Sequence, residues 1–170
     1  MLSIRTFLPV IMGITLCIIS FLSAAVLSRV CGFIINYTDS LPRGIYQLRP
    51  FNRAEHDMIV VFPVPEPVRD IVYGRGWLMK GALLMKPVAA LSGESVSITD
   101  KGLYINKRLF GPVFVSDRQG MPLPRLRFSS LLTHDQIFVA SPYKRSFDSR
   151  YFGPIHVNDI LAQAIPVLTF

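Results

Sequence analysis

The sequence has no group of residues spaced to hold a metal ion. His56, His134 and His156 stand far apart, and no cysteine or histidine pair shows ligand spacing. A phosphate-binding loop is missing as well, since "GRG" at 74–76 is too short to mean more than a turn. No repeat or low-complexity tract occurs, and no cofactor or metal is expected. There are only two cysteines, Cys17 and Cys31. If one helix joins them, their Cα atoms lie about 21 Å apart, far beyond the roughly 7 Å that a disulfide spans. No internal disulfide is expected, so cysteine usage does not reveal the compartment. Acidic residues are scarce, 11 against 18 lysines and arginines, for a net charge of +7. The positive residues (Arg43, Arg49, Arg53, Lys101, Lys107, Arg108, Arg125, Arg127) are scattered and no nucleic-acid recognition motif accompanies them. Attraction to anionic lipid headgroups is the simpler account, and no nucleic-acid partner is expected.

Charge is absent altogether from residues 7–28. Those 22 positions are long enough to cross the ~30 Å hydrocarbon layer as a helix. A cleaved leader is the rival, because Arg5 gives a basic flank and "SAAVLS" offers small residues. The run exceeds the usual core of about 7–15 residues in such leaders, which favours a retained anchor. Arg5 and the amino terminus favour an inside start, although Arg29 on the far side weakens that preference. The expected division is a cytoplasmic start at 1–6, a transmembrane anchor at 7–28 and one external β-rich domain at 29–170. About 130 residues suffice for one small core.

Beyond the anchor, short strand patterns alternate with turn signals. "DMIVVF" (57–62) is β-branched and apolar and stops at "PVPEP". "LLMKPVAAL" (83–91) reads as another strand. "SVSIT", "DKG" and "LYINK" read as a hairpin, with Gly102 free to take the positive φ of the turn. "FGPVFVS", "QIFVAS" and "ILAQAIPVL" supply further strands, while "SDRQGMPLPR" (116–125) reads as a loop. The only expected helix is the anchor, so the fold class is a mainly β domain on one helical stalk.

"NYTDSLPRGIY" (36–46) sets Ser40 in a turn just past the apolar run. Its hydroxyl needs a proton acceptor to become a nucleophile. Nothing places a histidine near it, which disfavours a Ser/His/Asp triad. A lysine serves only if burial strips its charge, because the free amine has a pKa of about 10.4. If 83–91 is a strand, Leu84, Lys86 and Val88 share one face, and the Lys86 amine emerges among aliphatic neighbours. Lys80, between Met79 and Gly81, is less enclosed. On chemistry alone an equal alternative stands, in which Lys86 snorkels from a strand end to water.

Three segments in order carry a resemblance. "TDSLPRGIY" is similar to the nucleophile box of the signal peptidase I superfamily, membrane-anchored serine proteases with a Ser/Lys dyad. It is closest to the S-x-P-x-G-hydrophobic-Y form of the TraF-type conjugal-transfer branch. "MKPVAALSGESV" resembles the lysine box, and "SFDSRYFGPI" (146–155) resembles the box near the family's C-terminus. The strand at 57–62 and the loop "GMPLPR" fit the same pattern. The resemblance implies a signal-peptidase-like antiparallel β domain, with Ser40 as nucleophile and Lys86 as general base. It also implies that Thr38 assists the Ser40 N–H in binding the oxyanion, that Ser146 orients the lysine amine, and that Asp148 and Arg150 form a structural polar pair. "SFDSRYFG" by itself reads as a turn followed by an aromatic strand. Three positions depart from the family: Pro87 in place of arginine, Ser92 in place of proline and Glu94 in place of aspartate. Asp148 is then expected to rely on Arg150 or a backbone donor, and Pro87 to require a bulge or an edge position. The implied substrate is a conjugative pilin precursor or another exported leader, which pairs with a strand edge at the surface of a bacterial inner membrane. The catalytic domain faces the periplasm, and the acyl group passes to water or, with cyclisation, to an amine. A general signal peptidase and a non-enzymatic anchored assembly module are the alternatives.

Overall fold

The computed structural model describes residues 4–30 and 32–170. The charge-free N-terminal run forms helix α1, Ile4–Val30. Its hydroxyls fold back onto the helix: Thr15 donates to the Ile11 carbonyl at 2.9 Å and Ser23 to the Ser20 carbonyl at 2.9 Å. Val10, Ile11, Met12, Ile14, Leu16, Ile18, Ile19 and Leu22 are all exposed. Among the described residues no helix is long and apolar enough to cross a membrane, and the expected crossing at 7–28 lies only in part on them. Part of that span, residues 7, 8, 21 and 24–28, has side chains outside those described. Cys17 is a free thiol, and Cys31 lies outside the described residues.

Eleven strands follow: β1 Phe33–Asn36, β2 Gly44–Arg49, β3 Ile59–Pro63, β4 Leu83–Ala90, β5 Ser95–Thr99, β6 Gly102–Ile105, β7 Arg108–Gly111, β8 Phe128–Leu131, β9 Gln136–Val139, β10 Ile155–His156 and β11 Ala162–Thr169. Two short helices, α2 Arg69–Gly74 and α3 Ser149–Phe152, lie between them. One seven-stranded sheet runs β1-β2-β11-β3-β4-β9-β10 and a four-stranded sheet runs β7-β6-β5-β8. The pairings are antiparallel, as expected for a mainly β domain.

Strand alternation decides the core. Val60 and Phe62 pair across with Lys86 and Leu84, and their face joins Val88, Ile137, Val139 and Ile155 in the largest apolar cluster. The opposite face sends Val61 and Met85 to Leu41, Tyr46 and Ala164. Ala90, Phe138 and Ala140 continue into the second sheet, against Val96, Ile98 and Leu103.

The expected hairpin forms, with Thr99 opposite Gly102 and φ 136° at the glycine. The strand expected at 57–62 begins two residues later, because Asp57 takes φ 62° and turns the chain into β3. Residues 116–125 contain no strand; Asp117 closes their turn by accepting from the N–H groups of Gln119 and Met121 at 3.0 and 2.9 Å. Pro87 sits inside a central strand with the expected bulge beside it, between Val88 and Ala90. Strands β1, β2 and β8 and helix α2 carry no signal that had marked them, and "SFDSRYFG" yields the short helix α3 in place of an aromatic strand.

Gly44 opens β2 at φ 149°, where a Cβ would lie 2.0 Å from the Leu168 carbonyl oxygen and 2.8 Å from the Thr169 Cα. Both obstacles are backbone, so no rotamer relieves them. Gly44→Ala is therefore expected to cost about 3 kcal/mol, lowering the melting temperature by roughly 6–12 °C in a thermal scan. An unchanged melting temperature would show that β2 and β11 do not pack as described.

Candidate active site

The turn after β1 is built around one buried amide. The Asn36 side-chain nitrogen donates to the carbonyls of Thr38 (3.0 Å), Leu41 (3.0 Å) and Pro42 (3.1 Å). Its oxygen accepts from the Thr38 N–H at 3.1 Å and from the Thr38 hydroxyl at 2.7 Å. The Tyr46 hydroxyl donates to the Pro42 carbonyl at 2.6 Å, and the Ser141 hydroxyl donates to the Ser40 carbonyl at 2.5 Å. Six side-chain contacts thus fix the backbone at and around Ser40, where Asp39 and Gly44 alone would leave a loose turn. The Ser40 and Thr38 hydroxyls are 3.2 Å apart. Since Thr38 has one proton and Asn36 accepts it, Ser40 is the donor in that contact.

Lys86 projects from β4 onto the aliphatic face shared with Leu84, Val88, Val60 and Phe62, as the alternation requires. It is 5% exposed and does not snorkel to water. Burial pulls its pKa from 10.5 down to about 8; the Asp148 carboxylate opposes the shift and the Arg150 guanidinium adds to it. The amine donates to the Ser146 hydroxyl at 3.1 Å.

Asp148 and Arg150 form a two-pronged ion pair, Nε to Oδ1 at 2.8 Å and Nη2 to Oδ2 at 2.7 Å, with both side chains almost wholly buried. The remaining guanidinium protons reach the carbonyls of Pro112, Lys144, Ser141 and Tyr143. Asp148 also caps α3 through the Arg150 N–H and accepts from the Ser141 N–H at 3.1 Å. With Pro87 following the lysine, Asp148 therefore relies on both expected substitutes, Arg150 and a backbone donor. For Arg150, burial works against the charge, and the hydrogen bonding and charge of Asp148 outweigh it and raise the pKa.

Ser40, Thr38, Lys86 and Ser146 line one cavity of about 950 Å³. Trp77, Phe147 and Tyr151 form an aromatic wall, with Phe147 stacked on Tyr151 at 5.1 Å and edge-on to Trp77 at 5.0 Å. The fold therefore brings all six expected site residues into two connected groups. Ser40 and Lys86 do not hydrogen-bond each other: the serine faces Thr38 and the amine faces Ser146. Two further contributors went unread in the sequence, Asn36 and Ser141. An asparagine opening a turn is a usable signal; Ser141 is 101 residues from Ser40 and only folding joins them.

The family model for signal peptidases (peptidase S26) matches residues 4–169. The conjugal transfer protein TraF of Agrobacterium tumefaciens is 34% identical over 161 residues, covering 89% of this chain and 90% of that protein. A plasmid transfer protein TraF of Escherichia coli is 33% identical over 147 residues, covering 80% and 82%. A solved signal peptidase I from Enterococcus faecalis is 24% identical and covers 69% of this chain and 98% of its own, with a TM-score of 0.37.

The lysine fixes how stability varies with pH. Its folded pKa, about 8, lies below the ordinary 10.5, so between these values the unfolded chain binds more protons than the native one. Lys86 thus destabilises the fold fully below pH 8, by about 3 kcal/mol, and this cost vanishes as pH rises to 10.5. Lys86→Met is expected to be more stable than wild type in urea at pH 7, with the gap closing by pH 10. A gap that stays constant would mean that the amine is hydrated.

Proposed function

The chain belongs to the signal peptidase family, peptidase S26, and we propose that it is a serine endopeptidase in which Ser40 is the nucleophile and Lys86 the general base. The observation that supports this most strongly is the Lys86 amine, lowered to a pKa of about 8 in the same cavity as the Ser40 hydroxyl. At pH 7 roughly one amine in ten is neutral and able to accept a proton.

An extended substrate lies along the free edge of β4. Lys86 and Leu84 face β3 within their backbone ladder, so by alternation the amide groups of Leu83 and Met85 point the other way. β9 and Ala140 after it cover that side only from Pro87 onward. Bound there by strand addition, the scissile carbonyl meets Ser40. The Ser40 oxygen bonds to the carbonyl carbon as its proton passes to the neutral Lys86 amine. The tetrahedral oxyanion is held by the Ser40 N–H, with the Thr38 hydroxyl assisting once it turns from Asn36. Such a donor is typically worth about 3 kcal/mol in the transition state. Lys86 returns the proton to the leaving amine as the C–N bond breaks, leaving an acyl-Ser40. Water, or an amine in a cyclising reaction, then attacks this ester and Lys86 takes the incoming proton. Ser146 keeps the amine pointed at the reacting centre, and Asp148 and Arg150 hold the segment that carries Ser146 and Ser141.

The names of the relatives favour a role in conjugation, and the substrate proposed here is a pilin precursor or similar exported leader. We place the anchor at residues 7–28, a single pass in a bacterial inner membrane, with the β domain on the periplasmic side. Complementation of a depleted leader peptidase would favour a general signal peptidase instead. A folded protein whose Ser40 resists a serine-reactive β-lactam-type probe would favour a non-enzymatic module.

Ser40→Ala and Lys86→Ala are each expected to abolish processing of a co-expressed pilin precursor, read by mass spectrometry, with the β-rich circular dichroism spectrum retained; normal cleavage by either variant rejects the dyad. Hydrolysed, cyclised and untouched products differ in mass, so one spectrum also decides how the acyl group is released. The pH profile of kcat/KM is expected to rise about tenfold from pH 7 to a plateau above pH 9, following the neutral fraction of Lys86. A profile that levels off near pH 6 would point to another base.

A further inference from the structure

The cleft has two chemically unlike ends. Along β1 and the free edge of β4 it is lined by Ile34, Leu48, Leu78 and Leu83. Beyond Ser40 it is crowded with charge. Asp39, beside the nucleophile, is shared between Arg43 at 2.6 Å and Arg118 at 3.7 Å. Arg118 also donates to the Tyr143 hydroxyl and lies 6.0 Å from the centre of that ring. Asp117, the other carboxylate lining the cleft, is engaged by Arg75 at 2.8 Å, and Arg75 donates in addition to the Pro122 carbonyl at 2.7 Å. Arg145 sits over Phe114 at 4.4 Å. Among the described residues no carboxylate lies within ion-pair distance of Arg145 or Lys144.

Asp39, Asp117, Arg118 and Arg145 line the cleft at this end, and Arg43 and Arg75 flank it on the two carboxylates, which leaves Arg118 and Arg145 as the guanidinium groups facing the cleft. Neither is carried on a loose segment. The loop bearing Arg118 is closed by the Leu123 N–H on the Val115 carbonyl and the Asp117 N–H on the Met121 carbonyl, both at 2.9 Å. Arg75 ties its far side to the end of α2. Arg145 immediately precedes Ser146, the partner of the lysine amine. Arg145 is therefore presented by backbone that the site fixes, and Arg118 by a loop that its own hydrogen bonds and Arg75 hold. A planar guanidinium pairs best with a carboxylate, which it meets through two parallel hydrogen bonds. With the acyl portion placed along the apolar β4 edge in the binding mode proposed above, the portion released points toward the charged end.

We propose that Arg118 and Arg145 form a subsite for a carboxylate on the leaving side of the scissile bond, supplied by an acidic side chain or by the substrate's own terminal carboxylate. This rests on the peptidase reading above and adds to it a selectivity for what departs. Opposite charge in the cleft also speeds encounter, an advantage that salt erodes.

The test uses the full-length protein in detergent micelles with synthetic peptides that share an Ala-rich acyl side. Their leaving sides carry Glu or Gln, each with a free or amidated terminus. The wild type is expected to favour Glu over Gln, or the free terminus over the amide, by roughly 3- to 5-fold in kcat/KM, less at high salt. Whichever comparison shows the preference identifies the source of the carboxylate. In the Arg118→Gln, Arg145→Gln double variant the ratio should fall toward one, while Arg108→Gln, on β7, keeps the wild-type ratio. Equal cleavage of all four peptides by the wild type, or a ratio that survives the double variant, overturns the subsite and leaves the peptidase standing. Cleavage of none of them by the wild type overturns both.

Discussion

One buried amine organises the structure. An ammonium on an aliphatic strand face is unfavourable unless it loses its proton or finds a partner. Lys86 does some of each: its pKa falls to about 8 and its nitrogen keeps one hydrogen bond, to Ser146. A fully hydrated lysine would be stable and useless as a base, and one buried beyond reach of any hydroxyl would serve no reaction. The cost of about 3 kcal/mol is a sizeable share of the 5–15 kcal/mol that stabilises an ordinary domain. Such a group survives where the reaction requires it.

The surrounding polar contacts follow from that requirement. Ser146 must hold still, so the segment carrying it is tied down by Asp148 and Arg150. Removing one member of such a pair leaves an uncompensated charge in the interior, typically a loss of about 3–5 kcal/mol. Arg150 also gathers the carbonyls of Ser141 and Tyr143, and Ser141 in turn holds the Ser40 carbonyl. A single network therefore spaces the proposed nucleophile and base, although Ser40 follows β1 and Lys86 lies in β4.

The resting contacts leave one step to the substrate. Ser40 donates to Thr38 while Lys86 donates to Ser146, so neither proton is yet on the path of reaction. Catalytic hydrogen bonds are often longer in an empty site and tighten when it fills. Expulsion of water by an extended chain along Leu83 and Met85 would further favour the neutral amine, because desolvation is what lowered its pKa at the outset.

Local sequence determined a good deal. Alternation at 83–91 placed Lys86 with Leu84 and Val88, the proline-broken apolar run at 57–62 marked β3, and the charge-free residues 7–28 formed a helix. These follow from interactions within a few residues. The resemblance of three short boxes put Ser40, Lys86, Ser146, Asp148 and Arg150 in their order. What the chain could not state by itself was whether Lys86 is wet or dry, for the same pattern suits a snorkelling side chain. That was decided by Val60 and Phe62 arriving across the ladder from β3, by Phe147 and Trp77 closing the wall, and by Ser141 reaching Ser40 over 101 positions. Solvation depends on everything that surrounds a group, and only the folded chain assembles those surroundings.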